Sequence, residues 1–242
     1  MQRKDLAQTV ARLNATTWAD DATGLLDQVL NRGLVGQVAM VSSFGAESAV
    51  LLHLLAQVQP AAPVIFIDTQ MLFAETLDYQ ADLASRFGLR DVRRVTADEL
   101  TLRRTDPWGN LHQSNTDACC DFRKTQVLDR ALAGFDGWIS GRKRHQAGTR
   151  AALELFEADE AHGRIKINPL AYWSAADIAA YFEAHDLPRH PLVARGYPSI
   201  GCAPCTSAVG AGEDARAGRW RGQDKEECGI HFVDGKWVRT AA

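Results

Sequence analysis

The chain has 242 residues, 46% hydrophobic and 24% charged, with a formal net charge of −3. That length carries a full core, and one α/β domain with a tail is the simplest organisation. The charge excludes a global basic field for nucleic acid, so any anion must be held by local clusters, and no uninterrupted apolar run is long enough to span a bilayer.

The first residues, Met1-Gln2-Arg3-Lys4-Asp5, lead into a polar amphipathic segment rather than a secretory leader. A cytoplasmic protein is expected, and there five cysteines read as metal-binding or catalytic before they read as disulfides. There is no internal repeat. Nothing in the pattern sets an oligomeric state, and a homo-oligomer is left open.

Residues 1 to about 33 predict one or two helices, with Leu6, Val10 and Leu13 at helical spacing, as an N-terminal helical cap. Residues 34–205 form the expected α/β domain. Val38 to Val41 reads as a buried strand running through Ser42-Ser43-Phe44-Gly45-Ala46-Glu47-Ser48 into an apolar helix. A strand, a Ser/Gly turn and a helix N-terminus can cradle a phosphate. The bland alternative is an ordinary turn with Ser capping the helix. The Walker pattern is absent, because no Gly-Lys-Ser/Thr follows.

Pro63 to Ile67 predicts a second strand ending in Asp68-Thr69, where open α/β sheets bind ligands. A helix from about Phe73 to Phe87 and a third strand, Val92 to Val95, follow. Residues 97–115 read as loop and short helix, and Cys119-Cys120 opens a helix to about Ala133. The fourth strand, Gly137 to Ser140, runs into Gly141-Arg142-Lys143-Arg144-His145-Gln146. A charge run is ordinarily a solvated face, but its place after a strand end favours an anion site. Arg164 to Ile167 is a short strand, and Ser174 to Asp177 starts a capped helix to about His185. Beyond Cys205, residues 206–242 are polar and read as a mobile C-terminal tail. The alternation implies a doubly wound, mostly parallel sheet with helices on both faces.

Cys119-Cys120 and Cys202-Ala203-Pro204-Cys205 make a four-thiolate set. It fits structural zinc or an iron–sulfur cluster, with unligated core thiols the lesser alternative. Adjacent cysteines must splay to reach one centre, which a cluster accommodates more easily than a single ion. Cys228, in Glu226-Glu227-Cys228-Gly229-Ile230-His231, is left over as a reagent.

Taken together, the Ser42–Ser48 loop, Asp68-Thr69, Cys119-Cys120-Asp121-Phe122-Arg123-Lys124, the turn at 141–146, Gly201 to Thr206, Gly218-Arg219-Trp220 and the terminal Cys-Gly-x-His are highly specific. In them the chain resembles the cluster-containing adenylylsulfate (APS) reductases of the assimilatory sulfonucleotide reductase family. It differs at Arg142 and His145, where much of the family carries an apolar residue and an acid. The resemblance implies a sheet of the adenine-nucleotide alpha-hydrolase (PP-loop) type and a [4Fe-4S] cluster on Cys119, Cys120, Cys202 and Cys205. It also implies reduction of APS to sulfite and AMP, with Cys228 carrying an S-sulfocysteine and His231 and Lys124 beside it in the chemistry. Thioredoxin or a similar dithiol protein would release the sulfite. Substrate contacts are expected from Ser42, Ser43, Phe44, Gly45, Glu47, Ser48, Asp68, Thr69, Lys143, Arg144, Arg216 and Arg219, and no contact with nucleic acid or membrane.

Thiols alone close the electron count: one attacks sulfur, a second releases sulfite and leaves a disulfide. If the four paired cysteines are ligands, the second thiol must come from another molecule. Glu226 and Glu227 raise the Cys228 thiol pKa, while His231 and Lys225 push the other way. A tail that is activated when it meets the basic pocket is the expected resolution. Rival readings are a reductase of the 3′-phosphorylated nucleotide (PAPS), whose specialists typically lack the four cluster cysteines, an ATP pyrophosphatase, and a zinc-stabilised nucleotide-binding module without catalysis.

Overall fold

In this computed structural model residues 3–16, 18, 21–146, 148–223 and 225 are described. Helices α1 (Arg3–Asn14) and α2 (Ala22–Leu30) precede β1 (Val38–Ser42), α3 (Ser48–Val58), β2 (Val64–Ile67), α4 (Ala74–Arg86) and β3 (Val92–Val95). The short helices α5 (Glu99–Thr105), α6 (Leu111–Ser114) and α7 (Thr116–Cys120) follow, then α8 (Gln126–Ala131), β4 (Gly137–Ile139), β5 (Phe156–Asp159), β6 (Arg164–Ile167) and α9 (Ala175–Ala184).

The six strands lie in the order β3-β2-β1-β4-β6-β5, parallel except for β5, which runs antiparallel to β6. Period-two alternation divides the core between the two faces. Val38, Met40, Val64, Phe66, Ile139 and Ile167 point to the side covered by α1, α2, α3, α4 and α9. Ala39, Ile65, Ile67 and Trp138 point to the other, against Val127 and Leu128 of α8. The doubly wound sheet expected from the strand–helix alternation is therefore present, with both faces covered.

Several local signals explain the element boundaries. Asp21 caps α2 by accepting from the Gly24 N–H at 2.6 Å, and Ser174 with Asp177 forms a reciprocal capping box on α9. Leu6 and Leu13 of α1 and Leu25, Leu26 and Val29 of α2 are buried in the same core as the sheet. The edge strand β5 is not among the five strands read from sequence, because Phe156-Glu157-Ala158-Asp159 is short and acidic. Asn14 completes its outer edge, donating to the Phe156 carbonyl at 2.9 Å and accepting its N–H at 3.0 Å.

The segment after α9 is pinned by His190. Its Nδ1 accepts the Leu192 N–H at 3.2 Å and its Nε2 lies 3.1 Å from Thr76 Oγ1 on α4. With Nδ1 accepting, Nε2 carries the proton and donates. Burial holds the ring's pKa down to about 4, against a small opposing pull from Glu75. The unfolded chain protonates this histidine as pH falls below about 6.5, while the folded chain resists to about 4. Its contribution is therefore complete above the upper value and is lost on acidification between the two. Urea unfolding should find the protein about 2 kcal/mol less stable at pH 5 than at pH 7 from this group. His190→Asn should flatten that part of the profile; an unchanged slope would show that other groups carry it.

Candidate active site

A cleft of about 310 Å³ opens at the carboxyl ends of β1 and β4. This is the point where the strand order reverses, the usual ligand crevice of an open α/β sheet. Its floor is Ser42 and Ser43 from the end of β1 and Ser140 and Gly141 from the end of β4.

The loop from Ser42 to Ser48 forms one wall, and its backbone is organised from within. Ser42 Oγ accepts the Phe44 N–H at 3.2 Å and Ser48 Oγ accepts the Gly45 N–H at 2.8 Å. Glu47, not a serine, occupies the N-cap position of α3. Phe44 has a left-handed φ of 48° and a fully buried ring packed edge-on to Phe66 at 5.0 Å. Phe44 is thus the loop's anchor and does not line the cleft, whereas Ser42, Ser43, Gly45, Glu47 and Ser48 do.

The basic turn after β4 forms the facing wall and splits by residue. Buried Lys143 donates to Glu47 Oε2 at 2.8 Å and to the Gly141 carbonyl at 3.1 Å, joining the two walls. Burial pulls the lysine pKa down, with Glu47 opposing. Burial pushes the glutamate up, but Lys143 and Gln146 outweigh it and leave it below the usual range. Arg144 turns away: it pairs with Glu154 at 3.0 Å, donates to the Leu153 carbonyl and stacks 4.2 Å from the Tyr172 ring. The cleft-lining basic groups here are Arg142, Lys143, His145 and Arg150. Arg142 is buried and ion-paired with Glu157 of β5, whose carboxylate also accepts from Asn168 at 2.8 Å. That acceptor was invisible without the edge strand. Arg150, 2.6 Å from Gln146 Oε1, was the signal to weigh more heavily in the sequence, since it follows the turn by one short loop.

Asp68 is also outside the cleft. Its carboxylate is held by Arg94 at 2.5 Å and accepts the Gln70 N–H at 2.7 Å, fixing a left-handed Gln70. Thr69 does line the cleft, and its Oγ1 lies 3.2 Å from Cys202 Sγ. The Cys202–Cys205 segment docks onto this loop through an Ala203 N–H donation to the Met71 carbonyl at 2.7 Å.

Of the four described thiols, Cys202 lines the cleft, and Cys119, Cys120 and Cys205 do not. Cys119 and Cys120 end α7, and the helix then widens into a π turn, Asp121–Thr125, before α8. The expected single helix is therefore interrupted directly after the cysteines, where such turns often mark function. Burial, with Cys120 nearby, pushes the Cys119 thiol up to about 11. Burial and Cys202 raise Cys205. Cys202 is the exception: burial pushes it up, but Lys124, the Thr69 hydrogen bond and Arg219 outweigh that and hold it below the ordinary thiol value. The Lys124 charge is the strongest of the influences that lower Cys202, and both residues line the cleft. Among the described residues no three His, Cys, Asp or Glu side chains converge as a single-ion site.

The roof is formed by residues 198–201 and 214–220. Residues 206–223, expected as the start of a tail, fold back on themselves. Thr206 bridges Arg219, the Ser207 N–H donates to the Gly218 carbonyl at 2.9 Å, and Trp220 is buried. Gly218 is required because a Cβ would collide with the Ser207 carbonyl. At Gly201 a Cβ would run into the Arg219 guanidinium, which lies against that backbone and donates to the Ile200 carbonyl at 3.2 Å. Arg216 and Arg219 both line the cleft. Cys228 and His231 lie outside the described residues.

A switch-point cleft lined by a Ser/Gly loop, basic side chains and Cys202 sits on an α/β sheet of the adenine-nucleotide alpha-hydrolase (PP-loop) type. The chain belongs to the family described as phosphoadenosine phosphosulfate reductase domain, which matches residues 37–208. It is 57% identical over 196 residues to a protein from Mesorhizobium japonicum named adenosine 5′-phosphosulfate reductase, covering 81% of this chain and 76% of that one. It is 37% identical over 227 residues to a phosphoadenosine 5′-phosphosulfate reductase from Gloeobacter violaceus, covering 93% and 94%. Its structure resembles a phosphoadenylyl-sulfate reductase from Candida auris in a phosphate complex, with a TM-score of 0.69 at 26% identity over 83% of this chain and 96% of the other. No helix among the described residues is long and apolar enough to cross a membrane.

Proposed function

We propose that this chain is an assimilatory reductase that converts APS to sulfite and AMP through an S-sulfocysteine on Cys228. The observation that carries the reading is that Cys202 lines the same cleft as Lys124, Arg216 and Arg219, which supports a thiol wall beside an anion site. The name of the Mesorhizobium relative supports APS as the substrate.

In this reading the phosphosulfate lies among Lys124, Lys143, Arg216 and Arg219, with Ser42, Ser43, Gly45, Glu47, Ser48 and Thr69 along the nucleotide. Guanidinium forks suit the planar faces of phosphate and sulfate. The Cys228 thiolate attacks sulfur, the bond from sulfur to the AMP phosphate oxygen breaks, and AMP leaves with that electron pair. Residues beyond Lys225 deliver the thiol, and His231 favours its ionised form. A dithiol protein such as thioredoxin then attacks the Cys228 sulfur. Sulfite leaves with the electron pair, and the partner's second thiol frees Cys228 and closes a disulfide. The reducing cytoplasm suits such a cycle.

The residues present fit a [4Fe-4S] cluster. The donors are all thiols, they influence one another electrostatically, and Lys124 and Arg219 offset negative charge beside Cys202. Cys119, Cys120, Cys202 and Cys205 would hold it. When bound it supplies a fixed charge and a brace for the cleft wall.

The test is anaerobic incubation with sulfur-labelled APS or PAPS, using wild type and Cys228→Ser. Label trapped on wild type from APS, and absent from the variant, is the expected result. Equal trapping from PAPS would assign dual use. No trapping from either nucleotide by well-folded protein would point to ATP pyrophosphatase chemistry instead.

A further inference from the structure

Among the described residues the exposed large apolar side chains are Leu100, at 63%, and Trp108, at 85%. Both fall in the segment between β3 and α6, on the side of the chain that leads to the thiols. Leu100 stands on α5 and Trp108 on the turn that follows it. That turn, Pro107-Trp108-Gly109, is built rigidly from below. Asp106 is buried, pairs with Arg123 and accepts the Leu111 N–H at 3.0 Å. The Gly109 N–H donates to the Asp106 carbonyl at 3.1 Å, and Gly109 takes the left-handed φ of 68° that the turn needs. Its carbonyl in turn lies 3.1 Å from His112 Nδ1. An indole held out on a fixed turn is a preorganised anchor of the kind that dominates protein interfaces.

The place of the turn identifies its partner. It leads directly into α6, which packs on α7. The far end of the described chain is moored on α7 as well: Thr116 Oγ1 donates to Gln223 at 2.7 Å, and Lys225 pairs with Asp117. Cys228 follows Lys225 by three residues in the sequence. A protein thiol that attacks Cys228 approaches the chain just beyond this mooring, and Trp108 is the large apolar group presented one short helix away.

We propose that the Pro107–Gly109 turn, with Trp108 as its anchor, is the docking surface for the dithiol protein that reduces the Cys228 intermediate. This rests on the reductase reading above. The docked partner's thiolate forms a disulfide to the Cys228 sulfur as the bond from that sulfur to sulfite breaks. Sulfite departs with the pair, and the partner's second thiol releases Cys228. The partner is oxidised by two electrons and the substrate sulfur is reduced by two.

Trp108→Ala should be assayed for sulfite release from APS with thioredoxin and, separately, with dithiothreitol, which needs no docking surface. The expected result is a roughly tenfold or larger rise in KM for thioredoxin with dithiothreitol-driven turnover unchanged. Unchanged kinetics with both donors would overturn the proposal. So would a changed oligomeric state with an unchanged thioredoxin KM, which would assign the turn to a contact between copies of the chain. Wild type that releases sulfite with neither donor would instead overturn the reductase reading, and the docking proposal with it.

Discussion

Replacing Arg123 with methionine is expected to destabilise the fold by about 3–5 kcal/mol, with a fall in Tm of roughly 6–20 °C. The arginine side chain is 5% exposed and its partner Asp106 is 1% exposed, 2.8 Å away. Burial pushes the Asp106 carboxyl up, but Arg123 and the Leu111 N–H outweigh it and keep it ionised. Methionine would fill much of the space yet leave that carboxylate without its cation. Arg123 also donates to the Thr69 carbonyl at 2.8 Å and stacks 4.9 Å from Phe122. It therefore ties the π turn, the Trp108 turn and the loop bearing Thr69 to one another. The pair is not fully satisfied, since among the described residues Arg123 Nε meets no hydrogen-bond partner. For that reason the double variant Arg123→Met, Asp106→Leu should recover most of the loss, because it removes both desolvated charges. Thermal melts of the two singles and the double measure this. A single variant within about 1 kcal/mol of wild type would show that the charges are solvated or redundant.

Of the five strands legible in the sequence, β1, β2 and β4 were the plainest, because their apolar runs are buried on both faces and carry Val, Ile and Trp toward two cores. The edge strand β5 was not legible because its side chains alternate with acids and it is completed by Asn14, 142 positions away. The unread edge strand also hid the meaning of Arg142, whose partner Glu157 lies on β5. A basic turn after a strand reads as a block of anion ligands, but partners sort it: Glu157 engages Arg142, Glu47 engages Lys143, and Glu154 with Tyr172 draws Arg144 outward. Asp68 shows the same limit, since Arg94 comes from the neighbouring strand. The Ser/Gly loop and the paired thiols stood out because turn chemistry and thiol spacing are local, whereas Arg216 and Arg219 were expected from the family resemblance; the structure places both arginines on the cleft. Which acceptor meets which cation is settled by tertiary approach.

The second large effect is expected at Lys124. Lys124→Met should lower kcat/KM for APS by roughly 10²–10³-fold, the usual cost of removing a charged donor aimed at developing negative charge, with Tm little changed. The residue sits in the π turn, reaches the cleft, and is the strongest charge opposing the burial that would raise the Cys202 thiol. One ammonium thus serves two neighbours, the cleft and the thiol wall. Lys143 is less suited to this role because Glu47 already engages it at 2.8 Å. Lys124→Arg keeps the charge but changes its shape, so it should retain more activity than the methionine variant if point charge is what matters. Single-turnover transfer of labelled sulfur to the protein isolates this step from reductant docking, and the thiol wall can be followed separately through iron content and the visible spectrum. A loss of transfer with iron retained would place the effect on the substrate. Loss of both together would place it on Cys202. Transfer unchanged in Lys124→Met would mean that Arg216 and Arg219 alone carry the phosphosulfate charge, and that the lysine's position beside Cys202 serves the thiol wall only.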